Sequence, residues 1–340
     1  MAAKSARPIA LVSSNVKLFT SFFDAERAAR LTQLTLWKRS PARTITPELC
    51  NELRKAEVLI TTWDSPAQFP EDLLDWAPNL RMIAHCGGAV KTRFARTLFD
   101  RLVVVNSAAP MTRHVAELAV TFLLYLARDV DRYRGLLRRP SNAIYEHMHS
   151  TGGGEQTILG REVGMIGFGR IGRAIAELLA PFGTRLVVHD PYVNPDTAPA
   201  LVRFAPLDEV LSASHYLILA AGLTGETGHM ISRKRLGMLP KGAAVINVAR
   251  GGIVDLDALT TMVLRGRLRC ALDVTDPLEP LPVRHPLRRA EGAILTPHVG
   301  SISNSVRHEI ASEILSDMER FFAGRPVENR VTADMLGRMT

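Results

Sequence analysis

Between Val163 and Gly172 the chain reads V-G-M-I-G-F-G-R-I-G. Few segments restrict a fold so tightly: an apolar strand ends in a G-x-G-x-x-G turn and a helical pattern follows at once. Gly167 permits the tight turn, Gly169 lets the backbone approach a pyrophosphate, and Gly172 lets the helix pack closely on the strand. The helix N-terminus, opened by Arg170 and Ile171, then faces the anion. Arg173 to Leu179 continue the helical pattern, and Arg185 to Val188 return as an apolar strand leading to Asp190. A carboxylate at that point binds ribose hydroxyls and repels a 2′-phosphate, so the segment predicts a Rossmann unit that binds NAD rather than NADP.

The remaining bulk properties set outer bounds. With 340 residues, 46% hydrophobic and 22% charged, the chain is long enough for two domains with real cores. Its longest nearly uncharged apolar stretch, Leu118 to Ala127, is about half what a membrane span needs. Lys4 and Arg7 precede only a short apolar run, too short for the core of a secretory signal, so the expected location is the cytoplasm, away from any membrane. Cys50, Cys86 and Cys270 are odd in number and in no metal-ligand spacing, which predicts reduced, mostly buried thiols and no metal site. The net charge of +8 comes from 42 Lys and Arg scattered among 34 Asp and Glu without a basic tract, a pattern of solvated surface rather than of nucleic-acid binding.

Strand-like apolar runs at Ile9–Val12, Val58–Thr61, Leu80–Ala84 and Leu102–Val105 alternate with polar, helix-compatible segments, the pattern of a parallel sheet. A second unit begins near Asn106 with an apolar-rich helix, Thr112 to Arg128, and passes a glycine-rich loop at Gly152 to Gly154. After the fingerprint strand come further strands at Tyr216–Ala220, Ala243–Val248, Arg269–Val274 and Ala293–Leu295. An amphipathic helix over roughly Asn304 to Phe322, stopped by Gly324 and Pro326, closes the chain. The fold class expected is α/β, with two Rossmann-like, doubly wound parallel-sheet domains.

Open α/β sheets bind ligands at the carboxyl ends of their strands. Three predicted strands lead there into ionisable residues: I-N-V-A-R-G-G around Arg250, A-L-D-V-T-D-P-L-E-P from Asp273 to Glu279, and L-T-P-H-V-G around His298. A guanidinium at a strand end can hold a carboxylate through two parallel hydrogen bonds.

These segments, in this order behind the fingerprint, resemble the D-isomer specific 2-hydroxyacid dehydrogenase family, whose patterns run N-x-A-R-G, D-V-x-x-x-E-P and T-P-H. The likeness extends to Gly87-Gly88-Ala89-Val90, to Val115-Ala116-Glu117, to the Leu223–Thr227 turn and to Gly324-Arg325-Pro326. It implies a split, flavodoxin-like substrate domain, residues 1–106 plus 299–340, around a Rossmann NAD-binding domain of residues 107–298, in a homodimer. It also implies hydride transfer between nicotinamide and C2 of a small D-2-hydroxy or 2-oxo acid.

The resemblance assigns the roles. Arg250 would hold the substrate carboxylate and polarise the carbonyl oxygen, and His298 would exchange the proton as general acid and base. Glu279 would orient the imidazole, Asp273 would contact the nicotinamide carboxamide, and Ala249 would line the cofactor site. The backbone of Gly87, Gly88, Ala89 and Val90 would grip the substrate carboxylate.

Several departures leave choices open. The family's glutamate stands five residues after the aspartate, but here Leu278 takes that place and Glu279 comes sixth, so the partner of His298 is Glu279 if the loop bulges and Asp276 if it does not. Ile218 to Gly222 lack the His and Pro that many relatives carry. Lys91 replaces a frequent aspartate, with Arg93 close by; the pair either favours a more anionic substrate or points to solvent. Trp63 is either a pocket wall or a core aromatic.

Glu146-His147-Met148-His149 lacks helical ligand spacing and reads as a loop, and Ser301 to Asn304 as a turn into a helix cap. A different class of function also fits the fold, an NAD(H)-sensing regulatory protein similar to the corepressors that share it. Oxidation of formate or phosphite, known in specialised relatives, has no motif of its own here.

Overall fold

The computed structural model describes residues 7–138, 142–152 and 157–339. The chain divides into two compact units, Met1–Met111 with Ser301–Thr340, and Thr112–Gly300. The first division falls inside the helix Ala108–Ala127, which starts four residues before the sequence pattern suggested. Pro110 is tolerated there because the first-turn N–H it lacks has no partner within the helix anyway.

In the first unit, β1 (Ile9–Ser13), β2 (Leu36–Ser40), β3 (Val58–Thr61), β4 (Met82–His85) and β5 (Val103–Asn106) pair in parallel in the order β5-β4-β3-β1-β2. The short strand Arg330–Val331 adds antiparallel to β5. β3 and β4 are buried at every residue, which is why they read as unbroken apolar runs rather than as alternation. Phe19, Phe22 and Leu31 pack one face of the sheet together with Ile310 and Leu315 from the helix Asn304–Phe322. Leu49, Phe69, Leu73 and Phe94 pack the other.

The second unit holds β6 (Glu162–Ile166), β7 (Arg185–His189), β8 (Val202–Phe204), β9 (Tyr216–Leu219), β10 (Ala244–Asn247), β11 (Arg269–Leu272) and β12 (Ala293–Leu295). They form one sheet in the order β12-β11-β10-β9-β6-β7-β8, with every pairing parallel. Two doubly wound parallel-sheet α/β domains are therefore present, as expected.

Three elements differ from the sequence reading. β2, L-W-K-R-S, is a strand and not a helix-compatible segment; it lies at a sheet edge, where charged side chains are accommodated because one flank faces water. β8 is another edge strand, too short to announce itself. Glu146 to His149 lie in the helix Ala143–Thr151, not in a loop. Tyr145 and His149, one turn apart, stack at 4.0 Å, and Gly152 ends the helix at φ 72°, so short-range pairing and a glycine stop define it. Gly153 and Gly154 lie outside the described residues. Among the described residues no His, Cys, Asp and Glu cluster could hold a metal, and no helix is long and apolar enough to cross a membrane. Cys86 and Cys270 are buried, Cys50 is half-buried, and all three are free thiols.

Gly164, inside β6, marks where a helix presses on the sheet: a Cβ there would fall on the side chain of Ser214, with Val210 beside it. Gly164→Ala is expected to cost about 1–3 kcal/mol through overpacking, and Ser214→Gly in the same chain to recover part of it. Denaturant midpoints of the three proteins check this; equal midpoints would contradict the packing.

Candidate active site

The glycine turn has the shape its spacing demands. Gly167 sits at φ 92°, and a Cβ on it would lie 2.6 Å from the Ala221 backbone. A Cβ on Gly172 would meet the Gly167 carbonyl at 2.5 Å, so helix and strand close to a distance that a side chain forbids. Gly169 is different, for a Cβ there would meet nothing within 4 Å. The open space lies at the N-terminus of the helix Arg170–Leu179, where no side chain caps the first-turn N–H groups of Arg170, Ile171 and Gly172. An uncapped helix start beside unfilled space suits a pyrophosphate.

At the end of β7, Asp190 braces the same turn. Its Oδ2 accepts the Phe168 N–H at 2.7 Å and its Oδ1 the Tyr192 N–H at 3.0 Å. Each oxygen keeps acceptor capacity for a ribose hydroxyl. The uncapped helix start, the open space at Gly169 and the Asp190 carboxylate together suit the pyrophosphate and ribose of NAD.

Arg250 follows β10 and is positioned by Asn247, the buried last residue of that strand. The Asn247 amide donates to the Arg250 carbonyl at 3.0 Å and accepts the Ala249 N–H at 3.0 Å, pinning both residues of the turn. Gly251 comes next, and any Cβ on it would collide with the Thr275–Asp276 peptide, so the loop carrying Glu279 lies directly against the Arg250 turn. Burial pulls the Arg250 pKa down, and the Glu279 charge opposes that shift.

The six-residue spacing from Asp273 to Glu279 is absorbed by a folded loop. Thr275 Oγ1 donates to the Leu278 carbonyl at 2.6 Å, and the Thr275 N–H donates to Glu279 Oε2 at 3.1 Å. Glu279 Oε1 then accepts from His298 Nδ1 at 2.5 Å. Of the two carboxylates that the sequence left open, Glu279 is the one bonded to the imidazole, and Asp276 is exposed.

His298 itself has a left-handed backbone, φ 56°, uncommon for a residue other than glycine. Asp273 holds it there. His298 N–H donates to the Asp273 carbonyl at 2.9 Å, while the Asp273 carboxylate accepts Thr296 Oγ1 at 2.5 Å, Val299 N–H at 2.8 Å and Gly300 N–H at 3.0 Å. A buried carboxylate thus clamps the turn on both sides of the histidine. With Nδ1 given to Glu279 and 48% of the side chain exposed, Nε2 is the ring nitrogen left to exchange a proton.

In the first unit, Gly87 to Val90 form the loop after β4. The Gly87 N–H donates to the His85 carbonyl at 2.8 Å, so that N–H is spent inside the turn, and Val90 is buried in the core. Gly88 and Ala89 are half-buried, next to the buried Gly87 and Val90. Asn106 Nδ2 donates to the Gly88 carbonyl at 2.8 Å and the Ser107 N–H to the Gly87 carbonyl at 3.0 Å, fixing the loop from the end of β5.

Lys91 and Arg93 do not both point to solvent. Lys91 Nζ donates to the Met339 carbonyl at 3.2 Å, and Arg93 Nη1 to the carbonyls of Ser65 and Pro66 at 3.1 and 2.6 Å. Trp63 is half-buried beside Phe22.

The bracing residues Asn106, Ser107, Asn247 and Thr296 escaped the sequence reading. Asn106 and Ser107 have as signal only a polar side chain at or just past the end of a buried strand, whereas Asn247 and Thr296 stand inside the N-x-A-R-G and T-P-H patterns, which gave them no role of their own.

His85, at the end of β4, was likewise overlooked. Its ring is buried, accepts or donates at Nδ1 to Thr61 Oγ1 at 2.9 Å, and would lie 2.7 Å from any Cβ on Gly87. Burial pushes its pKa down to about 3, with the Arg93 charge adding to the shift. The unfolded chain therefore takes up a proton near pH 6.5 that the folded one refuses, and stability falls as pH drops from about 6.5 towards 3. His85→Asn is expected to flatten that part of the pH–stability curve; an unchanged slope in urea denaturation at pH 7, 6 and 5 would contradict a buried neutral ring.

Residues 120–300 match the family model described as D-isomer specific 2-hydroxyacid dehydrogenase, NAD binding domain. The chain is 28% identical over 312 residues to a glyoxylate reductase of Korarchaeum cryptofilum, covering 89% of this chain and 91% of that protein. It is 27% identical over 288 residues to a D-3-phosphoglycerate dehydrogenase of Methanocaldococcus jannaschii, over 84% of this chain but only 53% of that longer protein. Among solved structures, the TT0316 protein of Thermus thermophilus superposes with a TM-score of 0.74 at 28% identity, over 95% of this chain and all of that one. The glycine turn with its carboxylate, the three charged strand ends and the matched family model agree, and the chain belongs to the D-isomer specific 2-hydroxyacid dehydrogenases, NAD-dependent oxidoreductases.

Proposed function

We propose that this chain catalyses hydride transfer between NAD and C2 of a small D-2-hydroxy or 2-oxo acid, with His298 as the general acid and base. The observation that carries this reading is the 2.5 Å contact between His298 Nδ1 and Glu279 Oε1 on a turn clamped by Asp273. A nicotinamide held there would supply or accept the hydride; the protein positions the acid and moves the proton. Residues 112–300 serve as the cofactor domain, and residues 1–111 with 301–340 as the substrate domain.

Arg250 holds the substrate carboxylate and polarises the C2 oxygen, where negative charge develops during reduction. His298 gives its Nε2 proton to that oxygen and takes it back in oxidation. Glu279 keeps the ring oriented through Nδ1. Asp273, besides holding the turn, offers its carboxylate to the nicotinamide carboxamide, and Ala249 lines the same wall. Gly167, Gly169, Arg170, Ile171 and Gly172 cradle the pyrophosphate, and Asp190 takes the ribose hydroxyls. In the substrate domain, Gly88 and Ala89 donate their N–H groups to a carboxylate while Gly87 and Val90 set the loop's shape.

The reading includes a homodimer in the cytoplasm. Leu137 and Tyr145 stand 68% and 61% exposed on neighbouring helices, apolar surface that a partner would cover, and three free thiols suit a reducing compartment.

His298→Ala is expected to lose about a hundredfold or more in turnover of glyoxylate, hydroxypyruvate or pyruvate while NADH binding, followed by fluorescence, persists. Turnover equal to the parent's would remove the assigned role. Asp190→Ser is expected to narrow the preference for NADH over NADPH by about tenfold, because the charge that repels a 2′-phosphate is gone. A ratio of kcat/KM values that does not move would place cofactor choice elsewhere.

A further inference from the structure

The sheet of the first unit reverses its strand order between β1 and β3, the place where open α/β sheets bind ligands beyond their carboxyl ends. A cavity of about 390 Å³ opens there, with Asn15, Lys17, Arg43, Trp63, Asp64 and Arg307 in its wall. Three cations thus face one carboxylate.

That carboxylate is already satisfied. Asp64 Oδ2 accepts the Asn15 N–H at 2.8 Å and Asn15 Nδ2 at 2.5 Å, and Oδ1 accepts Thr62 Oγ1 at 2.5 Å. Burial pushes its pKa up, but the hydrogen bonds from Thr62 and Asn15 outweigh burial and leave it lowered, so the group stays ionised.

The cations are not satisfied in the same way. Among the described residues, Lys17, Arg43 and Arg307 make no ion pair and no side-chain hydrogen bond. Lys17 and Arg43 are exposed, as most such residues are, and by themselves signify little. Arg307 is held differently: its guanidinium lies 5.3 Å from the Trp63 ring and 5.6 Å from the Phe22 ring, and Nε is buried without a partner. Burial pulls its pKa down, the mark of a positive charge drawn out of water without a counter-charge. Two aromatic faces fix the fork before any ligand arrives, and a planar fork of N–H donors suits a carboxylate or phosphate.

We propose that this cavity is an oxyanion site, in which Arg307, held against Trp63 and Phe22, binds a carboxylate or phosphate monoester with Lys17 and Arg43 at its rim. The binding does not depend on the reaction proposed above. The anion comes either from the far end of the reacting acid or from a separate small molecule.

The experiment is a calorimetric titration of the full chain with inorganic phosphate, NADH being present at saturation so that the glycine turn is not open to the probe. Wild type is expected to show one saturable site. Arg307→Met is expected to weaken it about tenfold or more, and Lys17→Ala with Arg43→Ala to weaken it less, in line with loss of charge-assisted hydrogen bonds. Should Arg307→Met fail to fold, the exposed double variant and Arg307→Lys, which keeps the charge but loses the fork, carry the same comparison. No saturable binding in wild type, or equal binding in wild type and all variants, would overturn the proposal.

Kinetics separates the two sources. A rise in KM for a dicarboxylate 2-oxo acid in the double variant, with KM for the monocarboxylate of equal chain length unchanged, assigns the anion to the substrate. Phosphate binding that leaves both KM values unmoved assigns it to a separate ligand. Phosphate binding by a protein that turns over no 2-oxo acid keeps the site and removes the proposed reaction.

Discussion

The Asp273 carboxylate carries more of the site than its single position in a motif conveys. A buried carboxylate is costly unless its oxygens are satisfied, and here the donors are the Thr296 hydroxyl and the N–H groups of Val299 and Gly300. All three flank His298, so the cost of burying the charge is offset only if the turn adopts the one path that presents those donors. That path passes through φ 56° at His298, a conformation that by itself disfavours a non-glycine residue by about 1 kcal/mol. The histidine's direction is thus imposed by its neighbours' hydrogen bonds, and Glu279 receives a ring already aimed at it.

Close backbone approach does the corresponding work elsewhere in the second unit. Gly251 brings the Arg250 turn onto the Thr275–Asp276 peptide, and Gly172 brings a helix onto the Gly167 carbonyl. In both places the absence of a Cβ sets a distance between two segments that each carry site residues. Asn247 and Asp190 then fix the turns by hydrogen bonds to backbone rather than to other side chains. A site built from backbone contacts tolerates change in the surrounding side chains, which fits a chain 27–28% identical to the relatives it matches and superposing on a structure at a TM-score of 0.74.

How much was legible follows from which physics writes itself into sequence. The central strands were readable because burial on both faces demands continuous apolar runs, and the glycine turn because Gly167 and Gly172 leave no room for a side chain. β2 and β8 were not, since an edge strand can be as polar as a loop. Arg250, Glu279 and His298 stood out as charged residues directly after strands, but the choice between Glu279 and Asp276 depended on how a loop of six residues folds, which Thr275 decides through two hydrogen bonds. His85 and Asn106 were missed because a polar residue ending a buried strand looks alike whether it braces a loop or caps nothing, and Asn247 because the N-x-A-R-G pattern draws the eye to Arg250.

The cations show the limit most sharply. In sequence, Lys91 and Arg93 are the basic residues nearest the Gly87 loop, and proximity along the chain is the only guide available. Three-dimensional bonding redistributes them: Lys91 and Arg93 are drawn to main-chain carbonyls, where a guanidinium or ammonium serves as a hydrogen-bond donor, and the charge of Arg93 is met in addition by that of Asp64. Lys17, Arg43 and Arg307 come from segments far apart in the chain and converge on one cavity because Lys17 follows β1, Arg43 follows β2 beside it in the sheet, and the helix Asn304–Phe322 that carries Arg307 packs on the same unit. Sequence distance therefore misranks the candidates, and how much of a cation remains available to a ligand depends on whether a carbonyl or a carboxylate reaches it and on how many donors are left: Arg250 keeps donors of its fork although Nη1 bonds the Ala249 carbonyl at 2.7 Å. For Arg307 neither does: aromatic faces hold the group without supplying an acceptor, and a cation so held keeps its capacity for an anion that arrives from outside.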